Sequence, residues 1–295
     1  MPNTLAHIGI QTLASKAVYR AADIKWVAVG CIIPDLPWIT QRVISFLVPG
    51  IDLLSLRVYC LIQASLFFCL ILSGAIALLN NHSFKVFLLL GGNSLAHLLL
   101  DAVQTKWANG VHLSAPFSWQ LSQFQLFWPE NTITFVLTVV GLITIAYYGW
   151  SDRRVLLGLK HSFFPLLLSC LLLISYVLLP VMFFNGSFEA DNHYVRTLQR
   201  KEQRSGKAIG FDRCAYDEST ATITVFTKEK FKLISDQPIH DGTISLLGRF
   251  ADNNTIVAGM VHQHSTVRDV YSYVGLSLLL LLWASALFSG KIKIG

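Results

Sequence analysis

Apolar residues run along this chain in stretches of membrane-span length, and most of its polar residues fall in the gaps between them. From residue 4 to 20 the apolar positions Leu5, Ile8, Leu13 and Ala17 keep helical spacing behind a capping Asn3 or Thr4. This predicts a first helix with His7 close to its apolar stripe. Residues 24–38, IKWVAVGCIIPDLPW, are apolar but short and interrupted by Pro34 and Pro37, so they read as a re-entrant or interfacial piece that delivers Asp35 to a cavity. Five spans follow, at about 59–79, 84–103, 132–149, 162–184 and 271–289. Between the second and third, residues 104–130 are amphipathic and rich in aromatics, and Trp107, Trp119 and Trp128 read as interfacial anchors.

The pattern changes between the fourth and fifth spans. Residues 186–270 are polar, and TATITVFTKEKFKLI, GTISLLGRF and NTIVAGMVHQH alternate with β periodicity, the last two separated by the turn signal DNN. The expected fold is an α-helical multi-pass membrane protein with an inserted small β domain of five or six strands. A barrel of the oligonucleotide/oligosaccharide-binding type suits its size, by analogy only. The domain limits are 1–184 for the helical membrane part, 185–270 for the β module and 271–295 for a last span with a basic tail.

Composition agrees with that class. Of 295 residues, 53% are hydrophobic and 14% charged, with mean hydropathy +0.53, too little polar surface for a soluble chain of this length. The formal charge of +6 is spread over loops, so membrane lipid is the expected counterpart and nucleic acid is not. Arg153, Arg154, Lys160, Lys291 and Lys293 put their loop and tail in the cytoplasm and the β module outside it. Lys16, Arg20, Lys25, Arg42 and Arg57 near the N-terminus argue the other way. The start MPNTLAHIGIQTLAS lacks the basic and apolar regions of a secretory signal, so residues near Met1 can belong to a working site. Cys31, Cys60, Cys69, Cys170 and Cys214 form no CxxC pair and read as small hydrophobes.

Polar chemistry concentrates in the second span. A carboxylate near the bilayer centre costs roughly 2.5–3.5 kcal/mol, yet Asn93, His97 and Asp101 recur every four residues, with Gln104 three further on, as one stripe of a helix. His97 and Asp101, one turn apart, can reach a single ion through nitrogen and oxygen; they can also simply hydrogen-bond each other or neighbouring spans. His7 alone reads as a core histidine and Asp35 alone as a turn residue. Lys106 reads as a snorkelling lysine or a contact for an anionic headgroup. In the β module His262 and His264 share a strand face, as a surface pair or a metal-binding one, and His240 and Lys228, Lys230 and Lys232 form a basic face for solvent or an acidic partner.

The order of these motifs resembles a known family. Ala6-His7, then Gly30-Cys31-Ile32-Ile33-Pro34-Asp35, then His97-Leu98-Leu99-Leu100-Asp101, then Ala115-Pro116-Phe117-Ser118 is similar to the YdjM-like family of inner-membrane, predicted metal-dependent hydrolases, itself distantly similar to zinc-dependent phospholipase C. The resemblance covers about residues 1–150. It implies a divalent metal, zinc first, held by His7, Asp35, His97 and Asp101, with His112 near the position of a further histidine, and a catalytic role for Asp35, His97 and Asp101. It also implies hydrolysis of a phosphoester or lipid-like substrate, amphiphilic or phosphorylated, at the edge of a bacterial inner (plasma) membrane. The chain departs from the pattern twice. Pro34-Asp35-Leu36-Pro37 lacks the second acid of PDxD, and Arg57-Val58-Tyr59-Cys60-Leu61-Ile62-Gln63 stands where the family has HRGxTH. The alternatives are a non-enzymatic membrane scaffold with a structural or vestigial metal site, whose β module binds a protein partner, and a transporter using His97–Asp101 as a proton relay, to which five spans without repeat symmetry are poorly suited.

Overall fold

A computed structural model of the chain describes residues 3–151 and 162–288. The helices are α1 (Thr4–Val18), α2 (Ile24–Ile32), α3 (Leu36–Leu47), α4 (Leu53–Gln63), α5 (Leu66–Leu78), α6 (Ser83–Ala102), α7 (Thr132–Ser151), α8 (Phe163–Leu178), the short α9 (Phe184–Glu189) and α10 (Val195–Gln199), and α11 (Val267–Phe288). Four stretches are long and apolar enough to cross a membrane: Ile24–Leu47, Ser83–Ala102, Thr132–Gly149 and Phe163–Glu189.

Three expectations about the apolar runs change. Residues 24–38 are not a separate re-entrant piece but the first half of a 24-residue helical stretch that reaches Leu47. Pro34 lies in a 3-10 turn at Ile33–Asp35 and Pro37 at the start of α3, where a missing N–H leaves no helical bond unmade. The run at 59–79 is broken after Gln63, and α4 and α5 meet there at 68°, so the pair adds a fifth candidate only if it is taken as one bent span. The last run lies in α11, whose apolar part, Asp269–Ser285, is shorter than the others. The basic loop and tail used for orientation fall at residues 152–161 and 289–295, outside the described residues.

The helices around α1 approach unusually closely. Asn3 caps α1 by accepting from the Ala6 amide at 3.0 Å and donates to Thr138 Oγ1 on α7 at 2.6 Å, so one side chain ends a helix and ties it to a neighbour. Gly9 and Gly141 meet where α1 crosses α7: a Cβ on Gly141 would lie 2.2 Å from the Leu5 carbonyl oxygen. Gly30 on α2 faces α6 in the same way, with Leu90 O 2.8 Å from where its Cβ would be, and Ser94 Oγ donates to Gly30 O at 3.1 Å. Small residues at such crossings let backbones touch.

The β module is a closed five-stranded barrel, the lower of the two strand counts expected. Its strands are β1 (Ala208–Asp217), β2 (Thr222–Thr224), β3 (Lys230–Ile234), β4 (Gly242–Phe250) and β5 (Thr255–Gln263), in the order β1-β2-β3-β5-β4 with β4 closing on β1. All pairs are antiparallel except β3–β5. GTISLLGRF is β4 residue for residue, and the DNN turn forms through Asp252 Oδ1, which accepts from the Asn254 and Thr255 amides at 2.7 Å. The barrel interior is filled by Ile209, Phe211, Ile223, Phe231, Leu233, Ile244, Leu246, Phe250 and Ile256. Arg204, also buried, lies 5.0 Å from the Phe231 ring centre and pairs with Glu229 at 3.0 Å. A bulge between Phe211 and Cys214 takes Asp212 and Arg213 out of register and turns them towards the helices.

Substitution separates the two kinds of helical glycine. Gly141→Val is expected to lower stability by about 1–3 kcal/mol or more through overpacking, whereas Gly92→Ala, where an added Cβ meets nothing within 4 Å, should be neutral or stabilising by up to about 1 kcal/mol. Thermal unfolding of detergent-solubilised variants reads both.

Candidate metal centre

The close crossings bring four of the five expected ligands together beside a cavity of about 540 Å³ between the helices and the barrel, which Asp35, His97 and Asp101 line and His7 does not. His7 projects from α1 two residues before Gly9. Asp35 ends the 3-10 turn five residues after Gly30. His97 and Asp101 lie one turn apart on α6, beyond the Ser94 contact. Helical periodicity fixes the last pair, and packing alone supplies the other two.

His7 and His97 stack with ring centres 4.0 Å apart and planes 11° from parallel. His7 Nε2 is 3.4 Å from Asp101 Oδ1, and His97 Nε2 is 3.6 Å from Asp35 Oδ1 and 3.7 Å from Asp101 Oδ2. Ligand atoms of His7, His97 and Asp101 all fall within 4.8 Å of one another. The His7 Nε2 and both His97 ring nitrogens are buried and make no hydrogen bond. These separations exceed the 2.7–3.2 Å of an N–H···O bond. They match two ligands of one cation: tetrahedral bonds of about 2.0–2.2 Å set ligand atoms about 3.3–3.6 Å apart.

The surroundings orient the donors. With the Gln11 amide turned so that both its ends are satisfied, its oxygen accepts from His7 Nδ1 at 3.2 Å and its nitrogen donates to Asn93 O at 2.8 Å and Asn93 Oδ1 at 3.1 Å. A proton on Nδ1 leaves the His7 Nε2 lone pair facing the cluster, the arrangement of a metal-ligating histidine. Lys106, only 7% exposed, holds Asp101 Oδ2 at 3.0 Å, so it neither snorkels nor waits for a headgroup. Two imidazoles and two carboxylates form a donor set that suits a divalent cation, zinc among them.

His112 does not join the four. It lies in the segment after α6, its ring 6.5 Å from the His193 ring and 6.1 Å from the Trp119 ring. It lines the same cavity from a different wall, and burial holds its imidazole down at about 4. Burial, with Arg57 and His112 adding to it, also pushes His193 well below its ordinary value. Both rings are therefore neutral near pH 7. Trp107, Trp119 and Trp128 pack in part against histidines and each other; the Trp128 ring stacks on His262 at 3.7 Å and 5°.

A second group ties the barrel to the helical part. Glu130, just before α7, accepts from His264 Nδ1 at 2.7 Å and lies 3.5 Å from His262 Nε2 and from Arg213 Nη1. His264 Nε2 meets Ser245 Oγ at 2.7 Å, and Ser245 reaches Asp212 Oδ1 at 2.9 Å. Arg213 continues to Asp269 on α11 at 2.8 Å. Glu130, His262 and His264 also have the spacing of a possible metal set, but the Arg213 guanidinium beside Glu130 already supplies positive charge there. Burial raises the Glu130 carboxyl, and the His264 hydrogen bond and charge outweigh it, holding the group down at about 2. His240, Lys228, Lys230 and Lys232 of the expected basic face are exposed, with Lys228 in the turn before β3 and not on the strand.

Reading the residues in order along the chain left Gln11, Lys106 and Glu130 without these roles. Gln11 was within reach, since it stands one turn after His7 on the same helix. Glu130 and His264 are 134 residues apart, and no local signal joins them. Compared with protein-family models, curated proteins and solved structures, the chain matches none.

The Glu130 link sets a pH dependence. A carboxylate depressed from 4.5 to about 2 contributes stability that is fully present above about pH 4.5 and is lost as pH falls towards 2. Glu130→Gln should therefore cost about 1.5–3 kcal/mol at pH 7, the range for a hydrogen bond to a charged group. The gap from the unsubstituted protein should narrow between pH 4.5 and 3 in thermal unfolding.

Proposed function

We propose that this chain is a membrane-bound, metal-dependent hydrolase related to the YdjM-like family, holding a divalent cation, zinc by preference, at His7, Asp35, His97 and Asp101. The single observation that supports it most is the set of buried imidazole nitrogens without hydrogen bonds, 3.4–3.7 Å from two carboxylates. The apolar helices would sit in a bacterial inner membrane, with the barrel, of the oligonucleotide/oligosaccharide-binding type in its strand order, on the extracytoplasmic side. Lys25 and Arg57, two of the charges that argued for the opposite orientation, are respectively buried against Asp23 and turned into the cavity, so they count little as loop charges.

When bound, the cation would polarise a phosphoryl or acyl oxygen and lower the pKa of a water. The chain's own residues do the rest. Gln11 fixes the His7 tautomer, Lys106 steadies Asp101, and Asp35, at the cavity edge beside His97, is placed to take a proton from water. The substrate is a phosphoester or lipid-like molecule that enters between helices and barrel.

A second reading has one observation in its favour. Lys106 already gives Asp101 a cationic partner, which suits a structural or vestigial site in a scaffold whose barrel binds another protein.

The readings part on activity. Under the first, detergent-purified protein loses phosphoesterase activity on chelation and regains it with zinc. Asp101→Asn then lowers kcat/KM by roughly 100-fold or more, because it weakens the hold on the cation that would supply the chemistry, with little change in the folded fraction. Activity that survives both treatments, or is never seen with metal-replete protein across soluble and lipid phosphoesters, favours the scaffold.

A further inference from the structure

Besides Asp35, His97 and Asp101, the cavity is lined by side chains that the reading above leaves without a task. Arg57 enters from α4. Its guanidinium carbon lies 4.7 Å from the Trp38 ring centre on α3 and 5.0 Å from the Phe226 ring centre on the barrel, and its Nη2 meets His193 Nδ1 at 3.0 Å. Its Nε is buried and makes no hydrogen bond. Among the described residues no carboxylate lies within ion-pair distance of it. Asp212 acts on it only from farther away and is held by Asn109 at 3.3 Å and Ser245 at 2.9 Å. Other arginines here do have acids: Arg196 pairs with Glu189 at 3.1 Å, Arg204 with Glu229 at 3.0 Å and Arg213 with Asp269 at 2.8 Å.

Around Arg57 stand more unpartnered polar atoms. His193 Nε2 and both ring nitrogens of His112 are buried without hydrogen bonds, and all three side chains line the one cavity. His193 is presented by a turn in which Asp191, His193 and Tyr194 all have left-handed backbone, φ 54°, 55° and 56°. Three such residues without glycine are a costly way to build a turn. The bland account is that Arg57 only clamps α3 to the barrel by its faces. It leaves the Nε edge and three imidazole nitrogens unexplained, since a buried donor without a partner is costly.

A guanidinium edge and neutral imidazole N–H groups facing one space without an acid of their own are chemistry for an oxyanion, above all phosphate. We propose that Arg57, His193 and His112 form an oxyanion subsite that takes the phosphate group of a phosphate ester, free or as a lipid headgroup. The proposal rests on the hydrolase reading for what becomes of the ligand, not for its binding.

The test uses the full chain in dodecyl maltoside micelles, stripped of metal with EDTA. Phenylglyoxal labelling of Arg57, read by peptide mass spectrometry, is followed with and without inorganic phosphate. Phosphate should slow labelling of Arg57 and leave the exposed Arg249 unchanged. Arg57→Gln should weaken phosphate binding by about tenfold or more, the loss of a charge-assisted hydrogen bond, and Arg57→Lys should recover part of it. Protection that persists in a protein without hydrolytic activity upholds the subsite and sinks only the hydrolase reading. Glycerol phosphate and micellar phosphatidic acid are then compared: stronger protection by the first assigns a free ester, and by the second a lipid headgroup. If neither these probes nor phosphate protects Arg57, or if folded Arg57→Gln binds phosphate undiminished, the subsite is overturned. Labelling of the unsubstituted protein decides the matter should Arg57→Gln not fold.

Discussion

Two imidazoles and two carboxylates share one buried space beside α6, at separations too long for hydrogen bonds and suited to ligands of a common cation. Each buried donor or acceptor left unmatched costs about 1–3 kcal/mol, so a stable fold has reason to retain this arrangement only if something joins the groups. A divalent cation would join them all at once. Much of the rest can be read as the means of keeping them together: Gln11 on one imidazole, Lys106 on one carboxylate, and glycines that let α1 reach α7 and α2 reach α6.

The barrel is tied to the helical part by side-chain contacts. Its bulged first strand turns Asp212 and Arg213 towards the helices, and the Glu130–His264–Ser245 chain fastens its last strand to the segment before α7. The barrel and the helices thus enclose one cavity, lined by Asp35, His97 and Asp101 and also by Arg57, His112 and His193. Under the proposed hydrolase, the first group would supply the chemistry and the second would hold the charge of an anionic substrate.

Much of this was legible along the chain because it is periodic. The i, i+4 spacing of His97 and Asp101 needed only a helix, GTISLLGRF only a strand, and residues 132–149 only a long apolar run. What resisted reading was non-local. Pro34 and Pro37 looked like breaks, but at helix starts they cost nothing, so the helix continues to Leu47. Residues 59–79 looked like one span, but Ser65 begins a new helix at 68° to the last. His112 stood at a suggestive distance from Asp101 in sequence and turned to another wall in space. Lys106 looked like a surface lysine until Asp101 was found beside it. Glu130 and Arg57 gain meaning only from partners more than a hundred residues away.

X-ray absorption at the zinc edge tests the central claim most directly, on protein purified in detergent and loaded with one equivalent of zinc. The account predicts a first shell of nitrogen and oxygen at about 2.0–2.2 Å with the outer-shell signature of two imidazoles, reduced to one imidazole in His97→Ala. Zinc that fails to bind, or a shell with sulfur or without imidazole that His97→Ala leaves unchanged, would contradict it.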